Sequence, residues 1–113
     1  MTDHFTAAYI EAAVWADCGS DHECHGLPWA EETEARFRAD AAAFYAAHEA
    51  DILAYEKQTD SNAGHDLWFT RRGHGVGYWE HAGRPCADRL NVAAKALGDL
   101  DLYAGDDGKV YAA

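Results

Sequence analysis

The sequence predicts an α+β fold in which N-terminal acidic helices pack on a C-terminal antiparallel sheet, in the order α-α-β-β-α-β-β. Two observations lead to this prediction. Apolar residues recur at helical spacing through residues 1–60, whereas residues 61–113 contain aromatic runs separated by glycine-rich turns. The 113 residues have the length of a single domain, and no linker divides them.

The first predicted element is a helix from about Thr6 to Cys18. Its apolar residues fall on one face at helical spacing: Tyr9, Ile10, Ala13 and Val14. Gly19 and Ser20 follow directly and are expected to end the helix.

A second predicted helix begins at Pro28, whose ring suits a first helical position, and continues to about Lys57. Leu53 lies outside the apolar face of this helix, so we expect a bend near His48–Ala50. The apolar face itself consists of residues that share one arc at helical spacing: Phe37, Ala41, Phe44, Tyr45, His48, Ile52 and Tyr55.

A β-hairpin is predicted at the start of the second half. Leu67–Thr70 and Val76–Trp79 flank a glycine-rich loop, which is typical of a hairpin. We expect Gly77 to let a neighbouring aromatic ring lie across the backbone of the second strand.

A short helix and a second hairpin complete the predicted fold. The helix follows Pro85, runs roughly from Cys86 to Leu97, and is closed by Gly98. The strands Leu100–Tyr103 and Lys109–Tyr111 then flank a turn made of glycine and aspartate.

The charge is strongly negative and unevenly distributed. Nine basic and twenty acidic residues give a net charge of −11, of which −10 lies in residues 1–60 and −1 in residues 61–113. This balance argues against direct binding to nucleic acid or to anionic membranes, which recruit Lys and Arg. Two interpretations remain open: the charge maintains solubility, or it forms a surface for a basic partner.

The N-terminus and the cysteines predict a cytoplasmic protein. The first residues lack the basic region of a signal peptide, and no apolar run approaches the roughly 18 residues of a membrane helix. Three cysteines leave one unpaired in any disulfide arrangement, which favours a reducing compartment: Cys18, Cys24 and Cys86.

One loop contains four residues of the types that bind zinc: Cys18, His22, Cys24 and His25. Zinc takes thiolate and imidazole ligands, but its usual sites combine two separated pairs. The adjacent Cys24 and His25 cannot readily reach one ion in good geometry. We therefore predict no metal and no cofactor.

The first hairpin carries the residues that could support catalysis. His65, Asp66 and His74 could transfer protons, and Arg71 and Arg72 at its tip could hold an anion. No nucleophile elbow, phosphate loop or metalloprotease helix accompanies them, so we predict a non-catalytic protein with an exposed hairpin tip. The aromatic residues of this hairpin are interpreted as core rather than as a base-stacking platform: Trp68, Tyr78 and Trp79.

Residues 64–79 read Gly-His-Asp-Leu-Trp-Phe-Thr-Arg-Arg-Gly-His-Gly-Val-Gly-Tyr-Trp. This segment resembles a G-H-D-x-W-x-T-R-x-G-H-G-x-G-(aromatic)-W motif of small uncharacterised proteins of phages, prophages and plasmids. The N-terminal Ala-Ala-Tyr-Ile-Glu-Ala-Ala-Val-Trp-Ala-Asp stretch and the ending from Asp101 to Gly108 are also similar, whereas the loop Ser20–Leu27 departs from the family. The resemblance implies a mobile-element protein of the bacterial cytoplasm and brings no catalytic residue.

In that setting, the acidic half predicts an inhibitor of a host defence complex, of anti-CRISPR or anti-restriction type. B-DNA carries one negative charge about every 1.7 Å of axis, and a helix rising about 1.5 Å per residue can present a comparable row of carboxylates. The predicted partner is a basic host protein, a CRISPR effector or a restriction-system subunit. The predicted contact residues are the acids of the second helix: Glu31, Glu32, Glu34, Asp40, Glu49, Asp51 and Glu56.

Two alternatives remain open at this point. The first is a phage interaction or regulatory module without DNA mimicry, which shares every compositional feature. The second is a small enzyme centred on His65, Asp66 and His74. The sequence predicts no particular oligomeric state.

Overall fold

The computed structural model describes residues 2–17, 27–73 and 77–112. These residues form a mainly helical fold with a small antiparallel sheet at the C-terminal end, so the predicted α+β class is confirmed in its coarse form. The elements in order are α1 (Thr2–Asp17), α2 (Glu31–Thr59), α3 (Ala63–Arg72), a 3₁₀ turn (Tyr78–His81), α4 (Pro85–Ala96), β1 (Leu102–Ala104) and β2 (Val110–Ala112).

Helix α1 packs closely on α3 because Gly64 has no side chain. A Cβ atom at Gly64 would collide with the carbonyl oxygen of Phe5 and would lie 2.9 Å from the Cβ of Ala8. The predicted first helix is thus confirmed, although it begins at Thr2 rather than near Thr6. Its buried apolar residues face α2 and α3: Phe5, Ala8, Tyr9, Ala12 and Ala13.

Helix α2 begins at Glu31, so the prediction that Pro28 is its first residue is wrong. The segment before the helix pairs with β2 instead, because the Val110 N–H donates to the Pro28 carbonyl at 2.9 Å and the Ala30 N–H donates to the Val110 carbonyl at 3.0 Å. The expected bend is confirmed at His48, whose φ of −131° and ψ of 22° are not helical.

The first predicted hairpin is wrong, because the motif forms helix α3 and a 3₁₀ turn within the described residues. The side chain of Asn62 caps α3 by accepting hydrogen bonds from the N–H groups of Gly64 and His65. Gly73, with a φ of 79°, ends the helix in the left-handed region. Most of this short helix is buried, and four of its buried positions share one face at helical spacing: Ala63, Leu67, Thr70 and Arg71.

The ring of Trp79 lies where a Cβ atom of Gly77 would otherwise be. This confirms the expectation that an aromatic ring crosses the backbone at Gly77. Gly77 precedes a 3₁₀ turn rather than lying within a strand.

The predicted third helix and second hairpin are both confirmed. Helix α4 begins at Pro85, and β1 pairs with β2 in antiparallel register, with Tyr103 opposite Tyr111. Leu102 and Val110 are buried, so the tyrosine pair lies on the other face of the hairpin.

Aromatic side chains from several elements form the centre of the core. Trp68 of α3 is fully buried, with ring centroids 5.9 Å from Tyr9 and 5.6 Å from Phe37. Tyr55 and Tyr78 pack edge to face at 5.0 Å. The predicted core role of Trp68 and Tyr78 is therefore confirmed. Across residues 2–17, 27–73 and 77–112, no helix combines the length and apolar character needed to cross a membrane.

Candidate functional site

The seven acids predicted as contact residues do not form one continuous row. Glu31, Glu32 and Glu49 are exposed to solvent. Glu34 is half-buried and accepts a hydrogen bond from Arg38 one turn further along α2, at 2.9 Å. Of these four acids, Glu34 is therefore already paired with Arg38 on the surface of the helix.

Asp40 belongs to a buried polar network centred on Arg71. The Arg71 side chain is only 2% exposed, and its guanidinium donates to Asp40 at 2.9 Å and to the Tyr9 hydroxyl at 2.8 Å. It also donates to the main-chain carbonyls of Gly98 at 2.6 Å and Leu97 at 3.2 Å. The prediction that Arg71 lies at an exposed hairpin tip is therefore wrong, because the arginine ties α1, α2, α3 and the end of α4 together.

Asp51 and Glu56 also have structural partners. Arg89 of α4 binds both carboxylate oxygens of Asp51, at 2.6 and 2.8 Å, and these hydrogen bonds lower the pKa of Asp51. Glu56 accepts a hydrogen bond at 2.9 Å from the N–H of Ala63, at the start of α3. Both acids hold α2 to its neighbours.

The outer surface of α2 between Glu31 and Glu49 is rich in alanine. Its exposed alanines are Ala35, Ala39, Ala42, Ala43, Ala46 and Ala47. Glu49 lies about 27 Å along the helix from Glu31 at a rise of 1.5 Å per residue. The helix thus carries exposed negative charge near Glu31 and again near Glu49.

The N-terminal end of α2 adjoins the turn of the C-terminal hairpin. A groove of about 470 Å³ is lined by Glu31, Glu32, Lys109 and Tyr111. A second groove of about 350 Å³ is lined by Tyr111, Asp106 and Asp107. We call Glu31, Glu32, Asp106 and Asp107 together the acidic end.

Two hydrogen bonds fix one carboxylate of the acidic end. The Tyr111 hydroxyl donates to Asp107 at 2.6 Å, which raises the pKa of Tyr111 to about 12 and lowers that of Asp107. The Lys109 N–H also donates to Asp107, at 3.0 Å. Sequence reasoning missed Asp106 and Asp107 because it assigned the contact to α2 alone. The signal was the pair of adjacent aspartates in a glycine-bounded turn.

The two candidate catalytic residues that the structure describes, His65 and Asp66, have different hydrogen-bond partners. His65 lies 3.2 Å from Glu11 of α1, whereas Asp66 accepts a hydrogen bond from Tyr55 of α2 at 2.5 Å. His74 lies outside the described residues. The geometry of His65 and Asp66 therefore does not support a catalytic site that combines them with His74.

Asp66 lies in a polar cluster that the sequence did not reveal. Burial raises the pKa of Asp66 above its ordinary value, although the hydrogen bond from Tyr55 and the nearby His81 act in the opposite direction. Ser61 Oγ lies 3.2 Å from Nε2 of His81. The hydrogen bond of Asp66 is thus with Tyr55 and that of His81 is with Ser61, which differs from the direct acid–histidine hydrogen bond of a catalytic triad.

The remaining polar residues of the motif stabilise the fold. Thr70 Oγ1 accepts a hydrogen bond from the Tyr78 N–H at 2.9 Å, and the Tyr78 hydroxyl donates to the Ala63 carbonyl at 2.8 Å. Arg72 binds Asp99 and Asp101 at 2.9 and 2.7 Å. The motif thus joins α3 to the segments that follow it.

The candidate zinc ligands Cys18, His22, Cys24 and His25 lie outside the described residues. In the parts of the chain that the structure describes, no three His, Cys, Asp or Glu side chains are grouped so that they could hold a metal ion.

Comparison with known proteins gave no match: no protein-family model, no curated protein and no solved structure matches this chain. The candidate site therefore rests on its own geometry and charge.

Proposed function

We propose that the protein is a non-catalytic inhibitor that occupies the basic nucleic-acid site of a host defence complex through its acidic end. The setting, a phage or other mobile element acting in a bacterial cytoplasm, follows from the resemblance of the motif at residues 64–79. The partner is a basic protein, such as a CRISPR effector or a restriction-system subunit.

The observation that carries this proposal is that most arginines are paired with acids, whereas several carboxylates remain exposed. Among the described residues, most arginines form ion pairs with acids of the same chain: Arg36, Arg38, Arg71, Arg72 and Arg89. The carboxylates of Glu31, Glu32 and Asp106 remain exposed. In the part of the chain that the structure describes, negative charge therefore remains exposed at the acidic end, which also adjoins the exposed Lys109.

Such a surface attracts a groove lined with Lys and Arg from a distance. Complementary charge accelerates association and is screened by salt over a Debye length of about 8–10 Å. Proteins that bind nucleic acid have such grooves because they neutralise phosphates. An acidic end that enters the groove would exclude the nucleic acid.

The ion pairs change which acids are proposed to make contact. Reversing Asp40 would place a cation beside the buried Arg71, and reversing Asp51 would repel Arg89. The first change would damage the fold together with the binding, and the second would break a contact between α2 and α4. We therefore place the contact at Glu31, Glu32, Asp106 and Asp107, with Glu49 as an outlying contact.

A phage-challenge experiment tests the proposal. Bacterial strains that each carry one restriction or CRISPR system are challenged with a matching phage, with and without expression of the chain. We expect the wild-type chain to restore plating in at least one strain. The double variant Glu31→Lys, Glu32→Lys is expected to lose this effect while remaining folded by circular dichroism.

The double variant Glu11→Lys, Glu80→Lys is the matched control. It changes the net charge by the same amount at two exposed acids that lie outside the acidic end. Equal loss of inhibition in both variants would show that only total charge matters. Restored plating that survives the reversal of Glu31 and Glu32 would contradict the proposed contact and favour a module without DNA mimicry.

A further inference from the structure

The C-terminal hairpin presents an aromatic pair on the face that points away from the core. Tyr103 and Tyr111 are cross-strand neighbours with ring centroids 5.8 Å apart and an interplanar angle of 21°. Tyr103 is 45% exposed although it lies beside a buried strand position. Tyr111 is half-buried and also lines a groove with Glu31 and Glu32 of α2, so the exposed part of this aromatic face is mainly Tyr103.

The Tyr111 ring is held in place before any partner arrives. It packs against the backbone of Gly105, where a Cβ atom would come within 2.7 Å of its ring carbon Cδ1. Its hydroxyl is fixed by Asp107. A preorganised aromatic side chain loses little conformational entropy on binding, which makes it an effective contact.

We infer that the Tyr103–Tyr111 face binds an arginine side chain of the basic partner. This inference deepens the proposed function, on which it rests. A guanidinium can stack on a tyrosine ring while it donates to a carboxylate beside the ring. Asp106 and Asp107 line the same groove as both tyrosines, so they supply the complementary charge.

The combination of a flat ring and an adjacent carboxylate selects arginine over lysine. The guanidinium is planar and weakly hydrated, whereas the lysine ammonium is a strongly hydrated point charge that does not stack. The acids also favour arginine, because one guanidinium can donate two parallel hydrogen bonds to a carboxylate. Replacement of Tyr103 therefore isolates the contribution of the ring.

Two peptides of equal charge, nona-arginine and nona-lysine, test this inference by titration into the ¹⁵N-labelled protein. We expect nona-arginine to bind more tightly and to shift the amide signals of residues 103–111. Tyr103→Leu should weaken nona-arginine binding roughly two- to fivefold and nona-lysine binding by less, whereas Tyr103→Phe should retain the wild-type affinity.

Trp15→Leu is the matched control, because Trp15 is an exposed aromatic residue of α1 outside this face. It is expected to leave both affinities unchanged. The inference is overturned if both peptides bind Tyr103→Leu as they bind wild type, if they shift only signals near Glu49, or if neither binds. If the peptide titration overturns the inference but the Glu31→Lys, Glu32→Lys variant loses inhibition, the proposed function still stands. Inhibition that survives that reversal would refute the proposed function itself.

Discussion

Replacement of Arg71 by methionine is expected to destabilise the fold by about 3–5 kcal/mol. This is the usual cost of removing one partner of a buried ion pair. The Arg71 side chain is almost completely buried and donates to Asp40, Tyr9 and the carbonyls of Leu97 and Gly98. Methionine fills much of the volume but donates no hydrogen bond, so these acceptors lose their partner together.

Arg38→Met is the matched control for this prediction. Arg38 pairs with Glu34 at the same distance of 2.9 Å as Arg71 with Asp40, but its side chain is 59% exposed. Exposed pairs four residues apart in a helix contribute about 0.3–0.5 kcal/mol. Urea unfolding followed by circular dichroism measures both variants. Arg71→Lys provides a milder change, because lysine keeps the charge but lacks the planar fork.

A double-mutant cycle with Asp40→Asn isolates the contact between Arg71 and Asp40. We expect a coupling energy of about 0.5–3 kcal/mol, as for residues in one hydrogen-bonded network. The reasoning is refuted if Arg71→Met costs no more than Arg38→Met. A coupling energy of zero would refute the contribution of the ion pair alone.

Three further predictions concern the motif and its neighbours. Gly64→Ala should lower the unfolding free energy by about 1–3 kcal/mol through overpacking against Phe5 in α1; an unchanged melting temperature would contradict the close helix contact. Tyr78→Phe should cost about 1 kcal/mol in urea unfolding, because the buried Ala63 carbonyl loses its donor, and a neutral result would show that this hydrogen bond is unimportant. Asp66→Asn should gain stability relative to wild type as the pH rises above 3.8. Burial holds the pKa of folded Asp66 above this unfolded value, so ionisation of the wild-type carboxyl costs stability as the pH passes through the folded pKa. Unfolding measured at several pH values checks this, and a difference that is independent of pH would count against it.

Much of the fold could be predicted because its signals are local. Helical spacing identified α1 and α2, and Leu53 outside the apolar face indicated the bend that occurs at His48. Pro85 and Gly98 marked the ends of the helical segment that contains α4. Turn residues between two short apolar runs were sufficient to identify the second hairpin.

Helix α3 was missed because its local signals conflict. Leu67–Thr70 is rich in residues that also favour strands, and the glycines beyond it suggested a hairpin turn. The helix is stabilised by the cap at Asn62 and by burial against α1, and the second of these depends on contacts distant in sequence. Tertiary packing therefore decided between helix and strand here.

The charge of the candidate site could be predicted from the sequence, but the ion pairs that its acids form could not. Acids on an exposed helix are visible in the sequence. The partners of Asp40 and Asp51 are Arg71 and Arg89, which lie 31 and 38 residues further along the chain. Only the packing of α2 against α3 and α4 shows that these two acids are structural and that the acidic end remains available.

The most direct test of the proposed function is displacement of nucleic acid from a partner. A defence complex that the chain inhibits in cells is loaded with a fluorescently labelled DNA or RNA ligand, and its anisotropy is followed as the chain is added at low and at high salt. We predict that the wild-type chain releases the nucleic acid, that salt weakens this release, and that Glu31→Lys, Glu32→Lys abolishes it. A stable complex that holds both the chain and the nucleic acid would contradict competition for the basic site.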